Sequence, residues 1–367
     1  MRIREISLQP FRNFKALRLN FESDRILIGG ANGQGKSNIL EAISYLSIGK
    51  SVRGTQDSQA VPHEGQYFDI RAVCCDGPHR HQLRLFYGTK EGKKVFCDGT
   101  PLPRVADVLG IFKTVHFSPE DVALVMRFPA QRRRLLDILI SQTSAPYLHD
   151  LQQYQRVLAQ RNQLLKASKG SLRESEGHAL DAWDVQLARF GARIRLRRLE
   201  VLKRMEDVFR AKYARLSSQS EEAKAVYQGS QTPGEELVPS EEDLLQDLLV
   251  EMKGKRFLEI QVGHTRCGPH RDNLSFTLNA LPADTFASEG QLKTLLISWK
   301  MAEVEFLVQE TGQGPVLLLD DVFSELDAQR SEQLLEMFDA FDQILLTVPR
   351  RDNEALRNRF SEIWLGR

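Results

Sequence analysis

No stretch of this chain approaches the run of about 18 apolar residues that a membrane-spanning helix needs. Cysteine is scarce. The four present, Cys74, Cys75, Cys97 and Cys267, show neither a C-x-x-C pair nor the Cys/His spacing of a zinc site, so reduced, packed thiols are expected. An excess of either charge is missing too: 50 Lys and Arg stand against 49 Asp and Glu, a net charge of +1. Any affinity for nucleic acid must therefore come from a local basic surface. The opening residues, MRIREISLQPF, lack the apolar core and cleavage-like site of a targeting segment, and the cytosol is the expected compartment. What is there, 41% hydrophobic and 27% charged residues in a chain of 367, suits a globular protein larger than one average domain. Two lobes are expected.

The chain is organised around Gly30 to Ser37, GANGQGKS, which has the spacing of a phosphate-binding P-loop. An apolar run, Ile26 to Ile28, precedes it and a helical pattern from Asn38 follows, so it reads as strand, glycine loop, helix. Gly30, Gly33 and Gly35 let the backbone N–H groups close on phosphate oxygens, with Ala31, Asn32 and Gln34 completing the nest. Lys36 is expected on the β- and γ-phosphates and Ser37 on Mg²⁺, with the positive helix end aimed at the triphosphate. ATP and Mg²⁺ are the expected cofactors.

Before the P-loop, alternation of apolar residues over positions 1 to 30 reads as a β-hairpin or meander, interrupted at Arg12, Asn13 and Phe14. These three either form a plain turn or face the nucleotide. Alternating stretches between Tyr67 and Val95 add an antiparallel sheet. A helix is expected from Ser118-Pro119-Glu120-Asp121, and the chain then reads as helical to about residue 250. Tyr147, Leu151, Tyr154, Leu158 and Leu165 mark one helix; Leu187, Ile194, Val201 and Val208 mark a second, joined through 168–177. Together they are expected to form a short antiparallel arm. Its second helix carries Arg193, Arg197, Lys203 and Arg204, and Arg132, Arg133 and Arg134 form another basic cluster. Each cluster is either a solvated face or a DNA-phosphate surface. A polar loop over 229–243 closes this lobe.

Near the C-terminus, Val316 to Leu319 followed by Asp320 and Asp321 has the pattern of a buried parallel strand ending in a Walker B pair. Asp320 is expected to reach the metal and Asp321 to orient and deprotonate the attacking water. Between the two motifs, Ala287-Ser288-Glu289-Gly290-Gln291 opens a helix in the manner of an ABC signature. There Ser288 and Gly290 would cap the γ-phosphate held by a second subunit. The separation of the motifs makes the helical lobe an insertion. The expected fold is α/β: an ABC/SMC-like ATPase head with a mixed β-sheet, split over 1–117 and 255–367, around a mostly α-helical lobe at 118–254.

With these motifs in order, together with Phe117-Ser118-Pro119-Glu120-Asp121, Cys267-Gly268-Pro269-His270-Arg271-Asp272 and LLLDDVFSELD, the sequence resembles the bacterial RecF family across nearly its whole length. The resemblance implies an ATP-dependent recombination mediator that dimerises with ATP bound and hydrolyses it slowly. It also implies binding to gapped or single-strand/double-strand junction DNA. RecR, with RecO, and RecA loading on gaps coated with single-strand binding protein complete the implied setting. The sequence departs from the pattern where Ala287 replaces the usual leucine, where no Q-loop glutamine stands out, and where Thr347 occupies the place of a histidine switch. GPHRD has either no role beyond a proline-fixed turn or one that spacing does not disclose. A transporter ATPase subunit and an SMC-like scaffold without useful turnover are the rival classes.

Overall fold

The structure, a computed structural model, describes residues 1–168, 173–217, 221–229, 238–349 and 354–366. The connection expected at 168–177 and the polar loop expected at 229–243 lie in part outside the described residues. The chain divides into two compact units: Met1–Leu124, Ala211–Glu221 and Ser288–Arg367 form the first, Val125–Arg210 and Glu222–Ala287 the second. In this division residues 255–287 go with the helical unit, whereas the sequence placed the return to the ATPase part at 255.

Along the chain come β1 (Arg2–Leu8), β2 (Leu17–Asn20), β3 (Arg25–Gly29), α1 (Lys36–Ile48), β4 (Tyr67–Asp76), β5 (His79–Gly88), β6 (Gly92–Cys97), β7 (Thr100–Pro101) and β8 (Thr114–Phe117). Then follow α2 (Pro119–Arg127), α3 (Pro129–Ser141), α4 (Ala145–Ala167), α5 (Glu174–Leu216), β9 (Ala223–Gln228), α6 (Glu241–Val262), β10 (Asn273–Leu278), β11 (Leu281–Pro282) and α7 (Ala283–Phe286). The chain ends with α8 (Glu289–Thr311), β12 (Val316–Leu319), α9 (Ala328–Met337), β13 (Gln343–Val348), α10 (Glu354–Arg357) and β14 (Ser361–Trp364).

Two sheets build the first unit. One is antiparallel, in the order β2-β1-β4-β5-β6-β7; the other is parallel, in the order β14-β3-β13-β12-β8. Of the hairpin or meander expected over residues 1 to 30, the hairpin forms: β1 and β2 pair antiparallel, and β3 joins the parallel sheet. Strands β12 and β13 are buried on both faces, which is why their sequences are nearly unbroken apolar runs. Helix α1 is buried almost all round, and its Ile39, Leu40, Ile43 and Leu46 share one core with Ile6 and Ile70 of the antiparallel sheet and Ile26 and Leu318 of the parallel one.

In the second unit, Tyr147 meets Arg198, Asp150 meets Arg193, and Arg161 meets Asp184. Partners ascending on α4 descend on α5, so the two helices are antiparallel as expected. Strand β9 was read as part of a helical stretch. It instead pairs with β10 over six residues, in a three-stranded sheet ordered β11-β10-β9. All four cysteines are free, Cys74 and Cys267 buried. Among the described residues no helix is long and apolar enough to cross a membrane.

Candidate nucleotide site and the segments around it

The loop between β3 and α1 needs its glycines for two separate reasons. Gly33 and Gly35 have φ of 82° and 93°, the left-handed region, and a Cβ on Gly35 would stand 2.6 Å from the Phe14 ring. The first N–H groups of α1, including those of Lys36 and Ser37, have no intrahelical acceptor and are open to an anion. The Lys36 ammonium donates to the carbonyls of Gly30 at 2.7 Å and Ala31 at 3.0 Å. Burial lowers its pKa, while the charges of Asp321 and Asp320 pull the other way. Lysine, loop and Walker carboxylates therefore share one electrostatic environment.

The Arg12 segment is both a turn and a wall of this loop. Phe11 and Phe14 exchange backbone hydrogen bonds at 2.9 Å, with Arg12 at φ 52° between them. Asn13 Oδ1 accepts from the Asn38 side chain at 2.8 Å, beside Gly35. Arg12 itself donates to the buried Glu41 of α1 at 2.6 and 3.1 Å, to Thr55 at 3.0 Å and to the Gln59 carbonyl at 3.0 Å. Four of the five guanidinium donors are engaged, two of them on Glu41 of α1 and two on the chain that follows it. Glu41, which also accepts from the Ser51 hydroxyl at 2.6 Å and pairs with Arg53 at 3.7 Å, was not picked out from the sequence.

Strand β13 separates β3 from β12, so the P-loop and Asp320 sit at the carboxyl ends of strands two apart. Thr347, on β13 between them, donates its hydroxyl to Asp320 Oδ1 at 2.6 Å and accepts the Asp321 N–H at 3.0 Å. One buried hydroxyl thus fixes both carboxylate residues. Asp321 needs such support, because its φ of 46° is left-handed, which costs a non-glycine residue on the order of 1–2 kcal/mol. Thr347 is the site residue whose role the sequence left open.

Ser288 is the N-cap of α8 and forms a capping box: its hydroxyl accepts the Gln291 N–H at 3.2 Å and its own N–H donates to Gln291 Oε1 at 2.6 Å. Ser288 is exposed and its O–H remains a donor. Gly290 follows in the first turn. A Cβ there would lie 3.3 Å from the Arg330 guanidinium.

Of the two basic clusters of the second unit, the one at Arg132–Arg134 turns inward and the one on α5 does so only in part. Arg132 is buried and caps α2 by donating to the carbonyls of Val125 at 2.9 Å and Met126 at 2.7 Å, and Arg133 donates to the Asp272 carbonyl at 2.7 Å. Arg134 is half-buried. Arg193 pairs with Glu241 at 3.0 Å and Arg197 with Glu200 at 3.2 Å, while Lys203 and Arg204 are exposed. GPHRD is a turn, with Gly268 at φ 103°, and more than a turn. Asp272 accepts twice from Arg195, each at 2.7 Å, and from the Tyr227 hydroxyl at 2.6 Å. His270 Nδ1 lies 2.7 Å from the Tyr154 hydroxyl, and the Pro269 carbonyl accepts from Arg198 at 2.8 Å. The motif ties α3, α4, α5 and β9 together.

A P-loop and a Walker B pair at the ends of a parallel sheet, with a capped serine helix in the same unit, define an ABC/SMC-type ATPase head. A family model described as RecF/RecN/SMC N terminal domain matches residues 2–360. The DNA replication and repair protein RecF of Chloroherpeton thalassium is 36% identical, over 96% of each chain. A solved structure of the recombination mediator protein RecF with ATP, in the RecFOR pathway, matches with a TM-score of 0.88 at 33% identity, over 96% of this chain and 93% of that one. An SMC head bound to the C-winged helix domain of ScpA, at 13% identity and a TM-score of 0.55 over 99% and 94% of the two chains, shares the fold. This chain belongs to the RecF family.

Proposed function

We propose that the protein is an ATP-gated recombination mediator that acts on gapped or junction DNA, in a pathway with RecO and RecR that loads RecA. Two copies close face to face on two ATP molecules, and each P-loop stands opposite the partner subunit's Ser288. The observation that carries this reading is the convergence of Lys36, Asp320 and Asp321 at the carboxyl ends of β3 and β12, on either side of β13, in a chain that RecF relatives match nearly end to end.

The site's residues divide the work. The loop amides from Ala31 to Ser37 take phosphate oxygens, and Lys36 exchanges its two loop carbonyls for the β- and γ-phosphates. Asn13 borders the same loop, and Arg12 holds that segment in place. Ser37 and the Asp320 oxygen not used by Thr347 are hard oxygen donors suited to Mg²⁺, which would neutralise charge on the transferring phosphoryl group. Asp321 takes the proton of the attacking water. The Ser288 hydroxyl and the Gly290 N–H of one copy cap the γ-phosphate on the other. Hydrolysis removes that bridge and reopens the pair. On the helical unit, the exposed Lys203 and Arg204, with Arg193 and Arg197, face duplex phosphates, whereas Arg132 and Arg133 are held inside.

Sedimentation with a non-hydrolysable ATP analogue tests the shared site. The wild type should form a dimer and Ser288→Arg should stay monomeric; a normal dimer in the variant would remove the signature from the interface. An SMC-like scaffold without turnover is the second reading, favoured if hydrolysis is negligible with and without gapped DNA.

A further inference from the structure

The antiparallel sheet of the first unit has a solvent face that the nucleotide site does not use. Strand β4 turns Phe68, Ile70 and Ala72 into the core and Tyr67, Asp69 and Arg71 away from it. Register then aligns Arg18, Ser7, Arg71, Arg84 and Phe96 in one row across β2, β1, β4, β5 and β6. Two arginines directly opposite each other oppose sheet pairing. Arg71 and Arg84 are nevertheless opposite, and both lean on one carboxylate, Asp69, at 2.8 Å. A single carboxylate leaves that pair with net positive charge. Arg18 is matched by Glu5 at 2.9 Å, while the exposed Arg80 has no partner among the described residues.

Aromatic rings are interleaved with these cations. Tyr67, 46% exposed, stacks on Phe86 with centroids 5.8 Å apart and planes 28° from parallel. The Arg84 guanidinium lies 5.7 Å from the Phe86 ring and 5.4 Å from the Phe96 ring. Tyr67, Phe86, Arg84 and Phe96 thus form one continuous line of flat groups. Beside it is an open depression of about 510 Å³, bordered by Arg18, Arg71, Arg80, Arg84 and Phe96.

We propose that this sheet face binds single-stranded nucleic acid, with the arginines on phosphates and the aromatic line against unstacked bases. The inference rests on the reading that the protein acts on DNA, and it names a surface for the single-stranded part. Flat rings and guanidinium planes on a pleated face suit bases, whose faces are free only in a single strand. An acidic peptide would use the charges and leave the rings idle.

Fluorescence anisotropy on the full chain, with labelled oligo-dT and a duplex of equal length, tests the proposal. Circular dichroism melting checks that each variant folds. Arg80→Glu should weaken oligo-dT binding about tenfold and flatten its salt dependence. Phe96→Ala should weaken oligo-dT about tenfold and leave duplex binding as it was. Wild-type affinity for oligo-dT in both variants would overturn the proposal while leaving DNA as the protein's target. A wild type that binds neither DNA would remove both. An oligo-glutamate peptide held by the wild type and lost in Arg80→Glu, with oligo-dT binding unaffected, would assign the face to an acidic protein partner instead.

Discussion

The two units put the same cationic side chain to opposite uses. In the helical unit Arg161, Arg195 and Arg198 are buried and ion-paired: Arg161 pairs with Asp184 at 2.6 Å and Glu259 at 2.7 Å, and Arg198 reaches Asp137 at 2.8 Å and Tyr227 at 3.0 Å. In the first unit Lys36 holds only two carbonyls of its own loop, and Arg71 and Arg84 share one carboxylate. Charge in the helical unit fixes how helices meet, because a buried charge tolerates few geometries. At Lys36 and on the Arg71–Arg84 pair it is left under-committed, and can be taken up by a phosphate.

The sharpest way to break this contrast is to change one polar group in each unit and compare what is lost. Asp321→Asn should lower ATP hydrolysis by roughly 10²–10⁴-fold, the usual share of a general base, in a single-turnover assay. Its folding stability should be unchanged, since asparagine tolerates the left-handed backbone at φ 46°. Arg198→Ala should do the reverse, costing about 3–5 kcal/mol in urea unfolding because Asp137 loses its buried partner. ATP affinity of the folded fraction should not move. An Arg198→Ala protein as stable as the wild type would show that the hub does not hold the unit together.

How far this contrast was legible in the sequence depends on the residue. The P-loop, the Walker strand and the capped helix at Ser288 are local patterns, each set by spacing within one element, and they were readable. Sheet membership was not: nothing within residues 1 to 30 tells β3 to leave the hairpin, because that choice is made by β13 and β14 more than 300 residues away. The role of Thr347, noted only as standing where a histidine switch is usual, was hidden for the same reason. Its role exists only once β13 lies beside β12. The fate of the α5 arginines did leave a trace. Arg198 stands four residues after Ile194 and three before Val201, which places it on the helix's apolar stripe, where a cation must be paired. Reading the arginines as a charge run hid that position.

The GPHRD turn sharpens the contrast through pH. Burial pushes the His270 pKa from 6.5 down to about 4, so the folded protein holds this ring neutral. The unfolded chain therefore binds a proton first as pH falls, and stability present above pH 6.5 is lost between that value and about 4, by at most about 3 kcal/mol. Urea midpoints measured across this range should fall for the wild type. His270→Asn should show a flatter profile, and equal slopes would take the ring out of the acid sensitivity.

Smallest in size, and closest to the chemistry, is the effect of the hydroxyl on β13. Thr347→Val keeps the shape and removes the hydrogen bond to Asp320 and the acceptor for the Asp321 N–H. A hydrogen bond to a charged group contributes about 1.5–3 kcal/mol, so hydrolysis should fall on the order of tenfold or somewhat more. Looser packing alone would lower stability and leave the metal dependence where it was. A positioning role for Thr347 should also raise the Mg²⁺ concentration needed for half-maximal hydrolysis, because Asp320 would no longer be held in one rotamer for the ion. Thr347→Ser, which restores the hydroxyl without the methyl, should recover the wild-type Mg²⁺ dependence. If serine and valine behave alike, the carboxylates are held by the strand backbone and the first unit's site is stiffer than its sparse pairing suggests.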